Sequence, residues 1–159
     1  QTTLIGIGLI GSSIARALKK KKVTKKICIF SRTKKTINKA KKLKLGNFYT
    51  NDLEKSVEGS DLIIICTPLS TYKKILDKIS NHIMPNTILT DVGSAKLNAV
   101  KIFSKLKQKQ IHIIPAHPIA GTEKSGPSAG IAELFHNRWC VLTPSKDCDI
   151  KPLNNVKKL

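Results

Sequence analysis

Residues Thr3 to Gly11 read Thr-Leu-Ile-Gly-Ile-Gly-Leu-Ile-Gly, a G-x-G-x-x-G pattern at Gly6, Gly8 and Gly11. A short β-type run, Thr3–Ile5, precedes it. Ile10, Ile14 and Leu18 follow at a spacing of four, which puts them on one helix face. Glycines placed between a strand and a helix in this way suit a dinucleotide. Gly6 would allow the tight turn, and Gly8 would let the backbone approach a pyrophosphate. Gly11 would let helix and strand pack closely, with the helix N-terminus facing the phosphates. The plain alternative is a glycine-rich turn with no ligand.

Three further segments carry polar groups at the ends of apolar runs. They are Cys66-Thr67-Pro68, Thr90-Asp91-Val92-Gly93-Ser94-Ala95-Lys96, and the segment from His117 to Gly126, His-Pro-Ile-Ala-Gly-Thr-Glu-Lys-Ser-Gly. In an open α/β sheet, ligands sit beyond the carboxyl ends of the strands. One cleft would then collect Thr67, Ser94, His117 and Glu123 beside a nicotinamide. Each residue also has a bland role. Ser94 could cap the next helix, Thr67 could satisfy a strand end, Glu123 could be a solvated charge, and His117 could be a structural hydrogen-bonding residue. Their placement on one sheet edge favours a site.

The elements that must position these groups alternate along the chain. Strands are expected near Thr2–Ile5, Lys26–Phe30, Asn47–Thr50, Asp61–Thr67, Thr87–Asp91, Ile111–Pro115 and Trp139–Thr143. Helices are expected from the glycine turn to about Lys21, and near Lys34–Leu43, Thr71–Ser80 and Lys96–Lys109. Gly46 reads as a left-handed cap after the second helix. A long loop, Ala116–Gly130, precedes a short helix, and the tail after Pro144 shows no organised pattern. The continuous apolar run in Asp61–Thr67 marks a strand covered on both faces. Alternation at these lengths predicts an α/β fold with a doubly wound, mostly parallel sheet.

Composition narrows the partners. The 159 residues make one ordinary domain that can bury a core. The net charge of +19 raises nucleic acid or an acidic membrane as partners. Of 29 basic residues, however, only Arg16, Arg32 and Arg138 are arginine, the residue that phosphate and base readers favour. Scattered lysine reads as solvated surface, so neither nucleic acid nor membrane is expected. No apolar run approaches the roughly 20 residues of a membrane span, and no signal peptide is visible. The chain begins at Gln1 and is expected to lack its first residue or two. Cys28, Cys66 and Cys140 lie in apolar strand-like runs and are expected to be buried thiols; with Cys148 they form no C-x-x-C. This suits a reducing cytoplasm, and no metal site is expected.

The cofactor is expected to be NADP, with NAD as the alternative. An acidic residue about 20 positions beyond the glycines bonds the ribose 2′-hydroxyl in NAD-binding folds. Here Ser31 holds that position, followed by Arg32, Thr33 and Lys34. A hydroxyl followed by cations would accept a 2′-phosphate that a carboxylate would repel. Arg32 and Lys34 could equally be a solvated helix start.

The segment from Gly6 to Ser13, the Cys-Thr-Pro segment, Asp91-Val92-Gly93-Ser94-Ala95-Lys96 and His117-Pro118-Ile119-Ala120-Gly121-Thr122-Glu123 together resemble the prephenate/arogenate (cyclohexadienyl) dehydrogenases. The resemblance runs in order over nearly the whole chain. It implies a Rossmann-type NAD(P)-binding domain and the oxidative decarboxylation of prephenate to 4-hydroxyphenylpyruvate, or of arogenate to tyrosine. It also implies roles. His117 would accept a hydrogen bond from the substrate hydroxyl, as a general base must, and an imidazole is substantially neutral near pH 7. Ser94 would bond the histidine and the substrate. Glu123 and Gly121 would line the substrate side. Gly6, Gly8, Leu9, Ile10 and Gly11 would cradle the pyrophosphate. Ser31, Arg32, Thr33, Thr67 and Pro68 would complete the cofactor side.

Two features depart from the family pattern. One is Ser31 in place of an acidic residue. The other is length, because these enzymes carry a helical, dimer-forming domain after the first. Residues 1–145 are expected to be the NAD(P)-binding domain, and 146–159 the start of a connection to a helical dimerisation domain. Alone, the chain is expected to bind cofactor and turn over poorly. Competing expectations are a different two-domain dehydrogenase, against which the His-Pro-Ile-Ala-Gly segment argues, and a cofactor-binding fragment without catalysis.

Overall fold

The computed structural model describes residues 1–106 and 110–159. Its centre is a six-stranded parallel sheet: β1 (Thr2–Ile5), β2 (Ile27–Phe30), β3 (Phe48–Thr50), β4 (Leu62–Ile65), β5 (Ile88–Asp91) and β6 (His112–Ile113), in the order β3-β2-β1-β4-β5-β6. In the central register Thr2 lies between Ile27 and Leu62, and Ile5 lies between Phe30 and Ile65. The chain leaves β1 in one direction for β2 and β3, then returns to the other side for β4, β5 and β6. The crevice beyond the β1 and β4 carboxyl ends is therefore the switch point where such sheets bind ligands.

Strand periodicity divides the core between two faces. Leu4, Ile29 and Ile64 pack under α1 (Leu9–Lys21) and α2 (Lys34–Lys42), against Ala15, Leu18 and Ala40. Ile5, Ile63, Ile65 and Leu89 face the opposite way. They meet Val57 of α3 (Leu53–Val57), Leu76 and Ile79 of α4 (Tyr72–Ile79), and Phe103 of α5 (Lys96–Phe103). The central strands are buried on both faces, which is why they read as aliphatic runs. Lys19, Lys20 and Lys21 fill the last turn of α1, where positive charge complements the helix dipole.

Several boundaries differ from expectation. Gly46 is not the left-handed cap. Lys44 takes that conformation (φ 51°), and Gly46 is small because a Cβ there would lie 2.8 Å from the Ile27 carbonyl oxygen. The short α3 was unexpected, although Asp52 caps it by accepting from the Lys55 N–H at 3.1 Å. The expected helix at Lys96–Lys109 ends at Phe103 and tightens into a 3₁₀ turn, Ser104–Leu106. Its last three positions, 107–109, lie outside the described residues. The expected long loop begins instead with β7 (Ala116–Pro118), which pairs antiparallel with β8 (Cys140–Leu142) in a separate two-stranded sheet. Before β8, residues 131–138 form successive hydrogen-bonded turns rather than a helix.

The tail is organised as well. α6 (Ile150–Lys157) buries Val156 with Ile88 and Ile114. Cys140 is exposed rather than buried, because β8 pairs only with β7 and lacks the double cover of the main sheet. No helix among the described residues is long and apolar enough to cross a membrane.

Candidate active site

The glycine turn joins β1 to α1 at the switch point. Gly6 has φ 101°, a conformation that side-chain-bearing residues rarely adopt. Its N–H donates to the Phe30 carbonyl at 3.0 Å, and a Cβ would meet the Thr67 methyl at 2.7 Å. Gly11 lies against the turn itself, where a Cβ would fall 2.3 Å from the Gly6 carbonyl oxygen. Gly8 differs from both, because a Cβ there would meet nothing within 4 Å. It begins α1 with no side-chain cap, and no acidic residue occupies the first turn. The first N–H groups of a helix have no intrahelical partner, and the space beside Gly8, where α1 begins, is open. A pyrophosphate fits that cradle.

Beside this turn, Ser31 follows β2, with its N–H held by the Thr50 carbonyl at 3.2 Å, and Arg32 is exposed. The Thr33 hydroxyl is committed to its own helix. It accepts from the Thr36 N–H and lies 2.9 Å from the Thr36 hydroxyl. Thr71 donates to the Pro68 carbonyl (2.6 Å), so the Thr67 hydroxyl donates to Thr71 (2.7 Å). The methyl of Thr67 is left against Gly6.

The opposite wall is the segment after β5 together with β7. His117 is half-buried, and its Nδ1 lies 3.2 Å from the Val92 carbonyl oxygen. A carbonyl only accepts, so in the neutral imidazole Nδ1 carries the proton and Nε2 keeps a free lone pair. Ser94 is exposed. Its carbonyl accepts from the Lys96 N–H at 3.0 Å. Its hydroxyl neither caps α5 nor bonds His117 among the described residues. Gly121 and Glu123 lie exposed in the segment after β7, and no described cation pairs with Glu123. The structure therefore brings Gly6, Gly11 and Thr67 into contact, and sets His117 against the segment that carries Ser94. Glu123 stands apart in solvent.

Beneath this wall lies a group that motif reading did not single out. The Asp91 side chain is fully buried. It accepts five hydrogen bonds: two from Lys96 Nζ (2.6 Å each), and one each from the Tyr72 hydroxyl (2.9 Å), the Gly93 N–H (3.0 Å) and the Ala116 N–H (3.1 Å). Lys96 also donates to the Ala116 carbonyl at 2.6 Å. A buried ion pair is tolerated when its remaining valences are satisfied this fully. Burial, and then the Asp91 charge, push the Tyr72 phenol far above its usual range, so it stays a donor. Burial likewise raises the Cys66 thiol, with the Asp91 charge adding to it. The signal in the sequence was an Asp and a Lys flanking Val92-Gly93-Ser94-Ala95.

The segment after β7 returns to the glycine turn. Gly130 packs on the start of α1, where a Cβ would fall 2.2 Å from the Ser12 hydroxyl and 2.7 Å from the Ser13 N. Next to it, the Ile131 N–H donates to the Ser13 hydroxyl at 3.1 Å. Among the described residues no cluster of His, Cys, Asp or Glu could hold a metal.

This sheet order, with an open glycine turn at its switch point, defines an α/β nucleotide-binding domain. Residues 14–159 match the family described as prephenate dehydrogenase, nucleotide-binding domain, and the chain belongs to that family. It is 35% identical over 141 residues to the cyclohexadienyl dehydrogenase of Zymomonas mobilis, covering 89% of this chain and 48% of the relative. The crystal structure of Synechocystis arogenate dehydrogenase superposes with a TM-score of 0.89 at 30% identity, covering 99% of this chain and 54% of that one. Prephenate dehydrogenase from Aquifex aeolicus, solved with hydroxyphenyl propionate and NAD+, gives 0.86 at 27% identity, covering 99% and 55%. The chain thus spans about half the length of each.

Proposed function

We propose that the chain is the nucleotide-binding part of a dehydrogenase that converts prephenate to 4-hydroxyphenylpyruvate with loss of carbon dioxide, in tyrosine biosynthesis. The observation that carries this reading is His117. Its Nδ1–H is engaged by the Val92 carbonyl, leaving Nε2 as an acceptor on the sheet edge that holds the open glycine turn. Gly8, Leu9, Ile10 and Gly11 offer backbone to the pyrophosphate, while Gly6, Thr67 and Pro68 border it. When bound, the nicotinamide supplies the hydride acceptor. His117 Nε2 takes the proton of the ring hydroxyl as hydride leaves the carbon that bears it. Loss of the ring carboxylate then makes the ring aromatic. Ser94, exposed beside the imidazole's partner segment, bonds substrate, and Gly121 and Glu123 line the mouth.

Ser31 and Arg32 favour NADP, because neither repels a 2′-phosphate and Arg32 is free to pair with it. NAD is the second reading, supported by the Aquifex aeolicus structure that contains it. Arogenate is the second substrate, supported by the likeness to the Synechocystis enzyme. Residues 1–145 form the cofactor domain. Residues 146–159 begin the connection to a helical part through which the whole protein forms a homodimer in the cytoplasm. Nucleic acid and membrane are not among its partners in this reading.

A steady-state assay of the whole protein with prephenate and arogenate, each with NAD and NADP, tests the proposal. Turnover of prephenate with NADP is expected, and no turnover with any pairing sinks it. Replacing Ser31 by Asp and Arg32 by Ala together is expected to shift preference toward NAD by about tenfold, the effect of removing one charged hydrogen bond. An unmoved preference rejects the NADP assignment.

A further inference from the structure

We propose that Asp91 and Lys96 are positioning residues that fix the tautomer of His117. The inference uses the proposed function only for what the imidazole does afterwards. Its basis is the geometry of two peptide units. The Val92 carbonyl that faces His117 Nδ1 shares a planar peptide with the Gly93 N–H, and that N–H donates to Asp91 Oδ2. In a trans peptide the carbonyl and the N–H point in opposite directions. Anchoring the N–H on Asp91 therefore aims the carbonyl away from it, toward the ring. The second unit carries the histidine itself. The Ala116 carbonyl, in the peptide that ends at the His117 nitrogen, is held by Lys96 Nζ, and the N–H of the peptide before it, at Ala116, is held by Asp91 Oδ1.

One buried ion pair thus grips both the backbone that bears the ring and the backbone that bonds it. Tyr72 adds a further donor to Asp91 Oδ2, the oxygen that holds the Gly93 N–H, and comes from α4, on the packed side of the sheet. Val92-Gly93-Ser94-Ala95 has no strand or helix of its own. Its backbone is otherwise fixed at one end by the Val92 N–H on the Ile65 carbonyl (3.2 Å), and at the other by the Ser94 and Ala95 carbonyls, which accept from the Lys96 and Ala99 N–H groups (3.0 and 3.3 Å). Without the pair, the Val92 carbonyl is free to turn, and the ring loses the acceptor that selects Nδ1–H. Nε2 would then carry the proton in part of the population and could not accept one.

The test reads the nitrogen shifts of His117 by NMR in the whole protein, labelled with ¹⁵N-histidine and assigned by loss of signal in His117→Asn. In the wild type the neutral ring is expected to show a protonated Nδ1 and a bare Nε2. In Lys96→Met the ratio of Nδ1–H to Nε2–H is expected to fall about tenfold, the worth of one ordinary hydrogen bond. Dinucleotide affinity, which depends on the other wall, stays unchanged. A folded Lys96→Met protein with wild-type shifts overturns the proposal.

If the unpaired Asp91 prevents folding, the double variant Asp91→Asn/Lys96→Met buries no charge and is expected to show the same fall. Tyr72→Phe, which removes one donor and keeps the ring, is expected to lower the ratio about twofold, within the range for one weakened hydrogen bond. Wild-type shifts in either variant overturn the proposal. The readout needs no turnover. Failure of the dehydrogenase assay would leave the tautomer result standing, and a tautomer unmoved by these changes would leave the assay standing.

Discussion

The two walls of the cleft are held by different physics. Around Gly6 and Gly11 the positioning is steric, with backbone pressed on backbone and no charge involved. Around His117 it is electrostatic, with one buried carboxylate gathering donors from β5's end, α4, α5 and β7. A steric wall, here Gly6 and Gly11 pressed on each other and on Cys66 and Thr67, tolerates almost no added volume. An electrostatic wall draws its parts from distant residues and tolerates shape changes better than loss of a partner. Substitutions that act on one wall alone test whether the two are independent.

The largest effect is expected on the second wall. His117→Asn removes the acceptor at Nε2 but leaves the glycine turn alone. Turnover in the whole protein should fall about a thousandfold, within the range for loss of a general base. Dinucleotide affinity, measured by fluorescence titration, should stay within a factor of two. Undiminished turnover would remove His117 from the chemistry.

On the first wall two glycines should behave oppositely. Gly11→Val places a Cβ 2.3 Å from the Gly6 carbonyl oxygen, so α1 must leave β1. A loss of about 3 kcal/mol or more is expected in urea unfolding. Gly8→Val meets no protein atom near its Cβ. Stability should change by less than about 1 kcal/mol, a helix-cap effect, while dinucleotide affinity falls about a hundredfold because the side chain fills the space before the first helical N–H groups. If Gly8→Val unfolds the chain, or binds as well as wild type, the open space is not a ligand cradle.

The same contrast explains what the sequence revealed. The glycine turn was legible because strand, turn and helix fall within the first 21 residues, and sterics dictate the residue types. The sheet edge was legible because each polar segment follows an aliphatic run. The Asp91–Lys96 pair was not, since its meaning depends on Tyr72, 19 residues before, and Ala116, 25 residues after. β7 escaped notice for a related reason, whereas β8 falls within the strand expected at Trp139–Thr143. β7 has three residues and ends in Pro118, so little local propensity announces its pairing with β8. α6 buries only Pro152 and Val156, among lysines and asparagines, which is too sparse a stripe to read as a helix face. Gly46 misled because a glycine just past a helix usually caps it, whereas here tight packing against β2 decides its identity.

The smallest expected effect lies at the seam between the walls. The segment after β7 crosses back to α1, where the Ile131 N–H donates to the buried Ser13 hydroxyl and Gly130 packs on Ser12. Ser13→Ala leaves that N–H without its acceptor, which should cost about 1 kcal/mol. Because the tether joins the substrate-side segment to the cofactor helix, its loss should also free residues 119–130 locally. Faster amide exchange at Ile131 is the direct readout, accompanied by a few-fold rise in the KM for the ring substrate at constant dinucleotide affinity. Unchanged exchange at Ile131 would mean that the packing of Gly130 alone holds the segment down. The two walls would then be joined by sterics at this point, as they are within the glycine turn.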